Sequence, residues 1–207
     1  MHEGLFVTFE GGEGSGKSTL ARLVADQLIK DGFDCLITRE PGGTDIAEQI
    51  RNILLTKNPQ EELLPEAEAL LFAAARTQHV ETKIKPAVAA GKIVISDRWL
   101  GSSVAYQGYA RKLGVQEVLD INDFGIKGYR PDMEFFIDIL PEDAFKRITG
   151  RGAADRIESE GMDFHNKVYN GLKINHANNT YSIKVNGYLR PEQITKYIVE
   201  LIENASS

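Results

Sequence analysis

The chain is short of cysteine, of positive charge and of long apolar runs, and each shortage removes a class of protein. Cys35 is the only cysteine. An intrachain disulfide and a cysteine-built zinc cluster are therefore excluded, and a lone thiol fits a reducing cytosol. Lysine and arginine number 24 against 30 aspartates and glutamates, giving a formal net charge of -6. That balance argues against a general nucleic-acid-binding surface, while leaving room for a local basic pocket for a small anion. No apolar run approaches the ~20 residues that span a bilayer, so no membrane association is expected. The opening Met1-His2-Glu3-Gly4 lacks a basic region and runs straight into a strand pattern, so no signal peptide is expected. Internal repeats and low-complexity tracts are absent too. What is present is an ordinary globular composition over 207 residues, 42% hydrophobic and 26% charged. That is enough for one domain with a sizeable core, and a cytoplasmic location is expected.

Strand-like and helix-like patterns alternate along the chain. Short apolar runs at 5–9, 34–38, 93–96, 133–139 and 181–185 predict five strands. Helical spacing predicts helices over 19–31, 44–55, 142–149, 164–176 and 191–204, and over 65–90 with a break near Pro86. Segments 103–109 and 115–125 read as helices or helix ends. Leu20, Leu23, Val24 and Leu28 share one helical face, and Ile46, Ile50, Ile53 and Leu54 are expected to point inward from theirs. The alternation implies a three-layer α/β/α fold around a five-stranded parallel sheet, one domain over 1–207. Ligands in such folds gather at the C-terminal ends of the strands.

The first strand runs into Gly11-Gly12-Glu13-Gly14-Ser15-Gly16-Lys17-Ser18, with a helical pattern from Thr19. This is G-x-x-x-x-G-K-[ST] in its strand–loop–helix setting. Glycines let the backbone turn its N–H groups inward, and the positive end of the next helix lies behind them. Lys17 can reach the β- and γ-phosphates and Ser18 can bind Mg²⁺. The third strand ends in Asp97-Arg98. A carboxylate at a strand tip suits Mg²⁺ or its waters, although a helix cap is the plain alternative. A guanidinium beside it suits a second phosphate-bearing ligand. The second strand ends Arg39-Glu40-Pro41-Gly42-Gly43 on the same side of the sheet, as ligand groups or solvated charges. Phe72 and Arg76 are four apart on one helix face, able to stack on and hydrogen-bond a base, although a lone Phe72 would more often be core. Ser103, Tyr106 and Gln107 form a second such cluster; a glutamine amide suits a pyrimidine edge. Glycine-rich 147–161 carries Arg147, Arg151 and Arg156. It reads as an exposed charged loop or as a flexible lid that brings positive charge over the phosphates and excludes water.

Taken together, these segments resemble the thymidylate kinases among the P-loop nucleoside monophosphate kinases. Four stretches carry the resemblance: 9–18, 38–44, 96–99 with 105–108, and 150–158. The resemblance implies transfer of the ATP γ-phosphoryl group to dTMP with Mg²⁺. It implies Gly11 through Thr19 on ATP, with Ser18 and Asp97 as metal ligands. Arg39 and Arg98 would hold the acceptor phosphate, with Glu40 and Arg51 nearby. Phe72 would stack on thymine, while Arg76, Ser103 and Gln107 read its edge. Tyr106 would sit where a ribose 2′-OH would lie. Lys17, Asp97, Arg39, Arg98 and lid Arg151 would form the catalytic set, Glu40 orienting Arg39 or a metal-bound water. Glu13 in the phosphate loop, with arginines in the lid, is the bacterial pattern. Trp99 and Gly101 replace a frequent tyrosine and a frequent acidic residue near the acceptor's sugar. A homodimer is expected, through helices near 66–90 and 115–125. The alternatives are a kinase for another deoxynucleotide or a deoxynucleoside, a P-loop ATPase or GTPase switch, and a non-catalytic nucleotide-binding module. No Asn-Lys-x-Asp guanine motif is present.

Overall fold

The computed structural model describes residues 4–148 and 154–206. Five strands, β1 (Leu5–Glu10), β2 (Cys35–Arg39), β3 (Ile93–Asp97), β4 (Met133–Asp138) and β5 (Ser182–Asn186), pair in parallel in the order β2-β3-β1-β4-β5. The helices are α1 (Lys17–Lys30), α2 (Asp45–Leu55), α3 (Pro65–His79), α4 (Lys85–Ala89), α5 (Leu100–Ser103), α6 (Val115–Ile126), α7 (Pro141–Ile148), α8 (Met162–Asn178) and α9 (Pro191–Ala205). Among the described residues, no helix is long and apolar enough to cross a membrane.

The period of two along β1 and β3 divides the core. Leu5, Val7, Phe9, Ile93 and Ile95 face α1 and α9, meeting Leu20, Val24, Leu28, Ile198 and Ile202. Phe6 and Val94 point to the other face, against Val80, Ile84, Trp99 and Ile126. Each fully buried side chain of this size contributes about 1.5–3 kcal/mol. Strand β1 sits between β3 and β4 and is buried along its whole length, which is why it reads as an unbroken apolar run. From β1 the chain leaves toward β2, and from β3 it leaves toward β4. Their C-terminal ends therefore flank a topological switch point, with Gly11 following one and Arg98 the other.

Two expectations from periodicity are corrected. Ile46 and Ile53 are 53% and 58% exposed; of the expected inward residues of α2 Leu54 is fully buried, joined by Ala47. The 46-50-53 spacing marks a stripe without saying which side it faces. Leu23 likewise lies at the exposed rim of α1. The predicted break near Pro86 is not a break. The chain passes from α3 through a π-helical turn, Val80–Ile84, into α4. A widened turn accommodates a proline ring and its missing donor without ending the helix. A second π segment, Val104–Ala110, carries Tyr106 and Gln107.

The loop or lid expected over 147–161 falls partly outside the described residues. Its described part is pinned: Arg156 donates its backbone N–H to Leu55 and its Nε to Leu54 at the end of α2, and Ile157 is buried.

Candidate active site

The phosphate loop is built mostly from backbone. Gly14 and Gly16 hold φ of 72° and 92°, where a side chain is strained, and a Cβ on Gly14 would lie 2.2 Å from the Ala144 carbonyl oxygen. Lys17, buried at the start of α1, donates to the Gly12 carbonyl at 3.1 Å. Burial, then the nearby Arg98 charge, lowers its pKa, with Glu13 and Asp97 opposing. Ser18 donates to Asp97 Oδ2, while Asp97 Oδ1 is buried and unpartnered. An orphaned carboxylate oxygen beside a serine hydroxyl is a donor set that fits a hard divalent cation. Gly14 through Thr19 line a cavity of about 780 Å³ with Glu142, Phe145, Arg147, Gly187, Leu189 and Ile194. Those last six come from α7, α9 and the β5–α9 turn, and the motif gave no hint of them.

Beside it lies a cavity of about 210 Å³, sharing Glu13, Lys17 and Ser18 with the first. Arg39, Glu40, Arg51, Phe72, Arg76, Asp97, Arg98, Ser103, Tyr106 and Gln107 all line it. One site thus gathers residues from β1 to the π segment, and Asp155, Ile157 and Glu158 of the lid segment close it.

Most of these side chains are fixed by protein partners. Arg98 sits at φ 75°, a conformation costly for a non-glycine residue and common at functional sites. Its guanidinium donates to the Gly11 carbonyl, to Ser102 and to Glu13, and lies 5.1 Å from the Tyr106 ring centroid. Burial alone would raise the pKa of Glu13. The charges of Arg98 and Lys17 and the Tyr106 hydroxyl outweigh it and bring the carboxyl down to about 2. Arg76 is fully buried and donates to Glu40, Ser103, Asn122 and the Trp99 carbonyl. Gln107 donates its amide to Glu68 at 2.7 Å. Arg51 donates to the Pro41 carbonyl, and the Glu40-Pro41 peptide is cis.

A family model described as thymidylate kinase matches residues 9–198. Curated proteins named thymidylate kinase are similar over most of the chain. That of Finegoldia magna is 51% identical over 170 residues, covering 82% of this chain and 83% of its own. That of Bacillus licheniformis is 49% identical over 173 residues, with 82% and 81% covered. That of Lactobacillus helveticus is 51% identical over 174 residues, with the same coverage. The chain belongs to the thymidylate kinase family.

Within that family frame, two expected placements change, those of Glu40 and Gly101. Glu40 does not orient Arg39: its carboxylate is buried between Arg76 Nε at 2.7 Å and His79 Nδ1 at 3.0 Å, while half-exposed Arg39 pairs with Glu48. The Tyr106 hydroxyl is committed to Glu13 in the phosphate loop at 2.9 Å. Gly101 faces away from the cavity, where a Cβ would meet Asn175, Glu134 and Glu10 at 2.8–3.1 Å. Trp99 does line the smaller cavity, while its buried indole packs edge-on against Phe6 at 4.9 Å. The Glu10 carboxylate accepts from the Trp99 and Ser102 backbone and from the Ser102 hydroxyl, so it supports the loop that carries Arg98. Behind it, burial and the neighbouring Glu10 push Glu134 up to about 8.

Arg151 lies outside the described residues. Of its neighbours, Arg147 lines the larger cavity and donates to the Gly187 carbonyl, whereas Arg156 is turned away to Leu54 and Glu68. Sequence reasoning missed Glu68, His79 and Asn122. Extending the Phe72–Arg76 spacing by one turn each way reaches Glu68 and comes within one residue of His79, so that signal was present.

Proposed function

We propose that this protein transfers the γ-phosphoryl group of ATP to dTMP, giving dTDP and ADP for dTTP synthesis, as a single domain. One observation carries the reading: a phosphate loop and a cavity lined by an aromatic ring, an amide and four arginines share Glu13, Lys17 and Ser18. A hydrolytic switch has no use for the second cavity, and a deoxynucleoside acceptor has no use for two further guanidiniums, Arg39 and Arg98, beside Lys17.

ATP occupies the larger cavity, its phosphates on the backbone N–H groups of 11–19. Lys17 neutralises the charge that builds on the transferring group. Ser18 and Asp97 would hold Mg²⁺, which when bound neutralises phosphate charge. Arg39 and Arg98 place the dTMP phosphate, offsetting the repulsion between two anions. Phe72 stacks on the base, and Arg76, Ser103 and Gln107 meet its edge. Glu40 positions Arg76 rather than touching the phosphate. An acceptor phosphate oxygen forms its bond to the γ-phosphorus as the bond to the β-bridging oxygen breaks, and ADP leaves with those electrons. The acceptor's second pKa is about 6, so no strong base is needed. Arg151 in the lid adds positive charge in the transition state, and its contact matters more to turnover than to dTMP affinity.

The active form is a homodimer in the cytoplasm. Leu64 just before α3, Leu70 on α3 and Phe124 on the α6 packed against it are 63%, 57% and 91% exposed, an apolar face suited to a second copy. Initial rates with dTMP, dUMP, dCMP and thymidine test the substrate reading. A preference for dTMP is expected, and equal rates would overturn it. Sedimentation tests the dimer.

A further inference from the structure

Glu68 lines neither cavity, yet its buried carboxylate joins three parts of the molecule. Oε1 accepts from the Gln107 amide at 2.7 Å. Oε2 lies 2.7 Å from Nη2 of Arg156, an ion pair without the angle of a hydrogen bond. Arg111, at the end of the π segment, reaches both oxygens at 3.4–3.5 Å and also pairs with Glu160 at 2.6 Å. Two carboxylates and two guanidiniums thus close a neutral quartet, and two of its four members belong to the lid segment. Arg156 is the tighter lid link: its Nε and backbone N–H tie the same segment to the end of α2, whose Leu55 lines the acceptor cavity.

Glu68 is buried and its two guanidinium partners, Arg111 and Arg156, are mostly so, where geometry is strict and a lost partner is costly. Removing Arg156 would leave Glu68 facing Arg111 alone, and the carboxylate would follow it. Gln107 would then lose the acceptor that fixes its amide plane. An amide free to rotate can present either its oxygen or its nitrogen to a base edge. The polar edges of thymine and cytosine differ in just that donor–acceptor order.

We infer that Glu68 is a positioning residue through which docking of the lid segment fixes Gln107, so that the acceptor cavity discriminates between pyrimidine edges only when Arg156 is seated. The inference rests on the proposed acceptor site. Neither Glu68 nor Arg156 lines the cavity, so their substitution reaches the base only through Gln107. A purely structural role would lower activity toward all acceptors alike. This one changes their ratio.

The test is the ratio of kcat/KM for dTMP to that for dCMP in the full-length enzyme. Arg156→Met should lower the ratio about tenfold, the scale of discrimination lost when a fixed polar contact becomes adaptable. Glu68→Gln should lower it similarly, and the double variant should fall no further. Arg156→Lys, which keeps a charge for Oε2, should recover most of the ratio and guards against a folding defect in the methionine variant. A ratio unchanged in Arg156→Met, or single effects that multiply in the double variant, would overturn the inference. Wild-type enzyme with no preference for dTMP would overturn the acceptor reading itself, and this inference with it.

Discussion

The donor and acceptor halves of the cleft are made in opposite ways. The proposed donor cradle is one contiguous run, Gly11 to Thr19, in which backbone N–H groups, Lys17 and Ser18 would hold the phosphates. The acceptor cavity draws on β2, α2, α3, β3, the π segment and the lid. Its polar side chains are mostly committed to protein partners. A glycine-rich backbone can recognise phosphate wherever the loop occurs, whereas a base edge demands side chains held in one orientation. Buried acids divide along the same line. Glu13 in the donor loop is held down near 2 by Arg98 and Lys17 after burial is overcome, while Glu134, behind the acceptor loop, is pushed up to about 8 by burial and Glu10.

Substitutions can sharpen that contrast, starting with the largest. Lys17→Met should cost about a thousandfold in turnover, roughly 4 kcal/mol of transition-state stabilisation, with little change in melting temperature. The donor side would then be catalytic without being a structural keystone. Arg76→Met should do the reverse: it leaves the Glu40 carboxylate buried without its guanidinium and should cost about 3 kcal/mol of stability, read by denaturant unfolding. Unchanged stability would show that the acceptor network is not holding the fold together.

Glu134→Gln probes the acid pair. A carboxyl with a raised folded pKa binds its proton more tightly in the folded state. Its contribution is therefore fully present below the ordinary value of 4.5 and drains away as pH rises toward 8. The glutamine variant should be more stable than the parent above pH 8, and the difference should shrink toward pH 4.5. Paired thermal melts across that range check the sign. Arg39→Ala should move stability least, under about 1 kcal/mol, because the Arg39–Glu48 pair is exposed. Its expected effect is a raised KM for dTMP.

The contrast also explains what the sequence could and could not reveal. All five strands and the phosphate loop were legible: the central β1, β3 and β4 are buried on both faces, the edge strands β2 and β5 still carry short apolar runs, and a phosphate loop has fixed spacing. Phe72 and Arg76 were legible as a pair at i and i+4. Their neighbours Glu68 and His79 were not recognised, since their partners Gln107, Arg156 and Thr38 come from distant segments. The same holds for Gly101. Its meaning depends on Glu10 and Glu134, which the sheet brings behind it from β1 and β4. On α2 Leu54 was placed correctly but Ile46 and Ile53 were not, because an apolar stripe on a helix can face a core or a second subunit. The rim of the donor cavity, Glu142 and Gly187 among it, carried no motif at all.

The central claim is that both halves act on one phosphoryl group. Its most direct measurement is product stoichiometry with ATP, Mg²⁺ and dTMP. One dTDP should form for each ADP, and ADP release should nearly stop when dTMP is omitted. ADP released at the same rate without dTMP, or released with no dTDP formed, would contradict it.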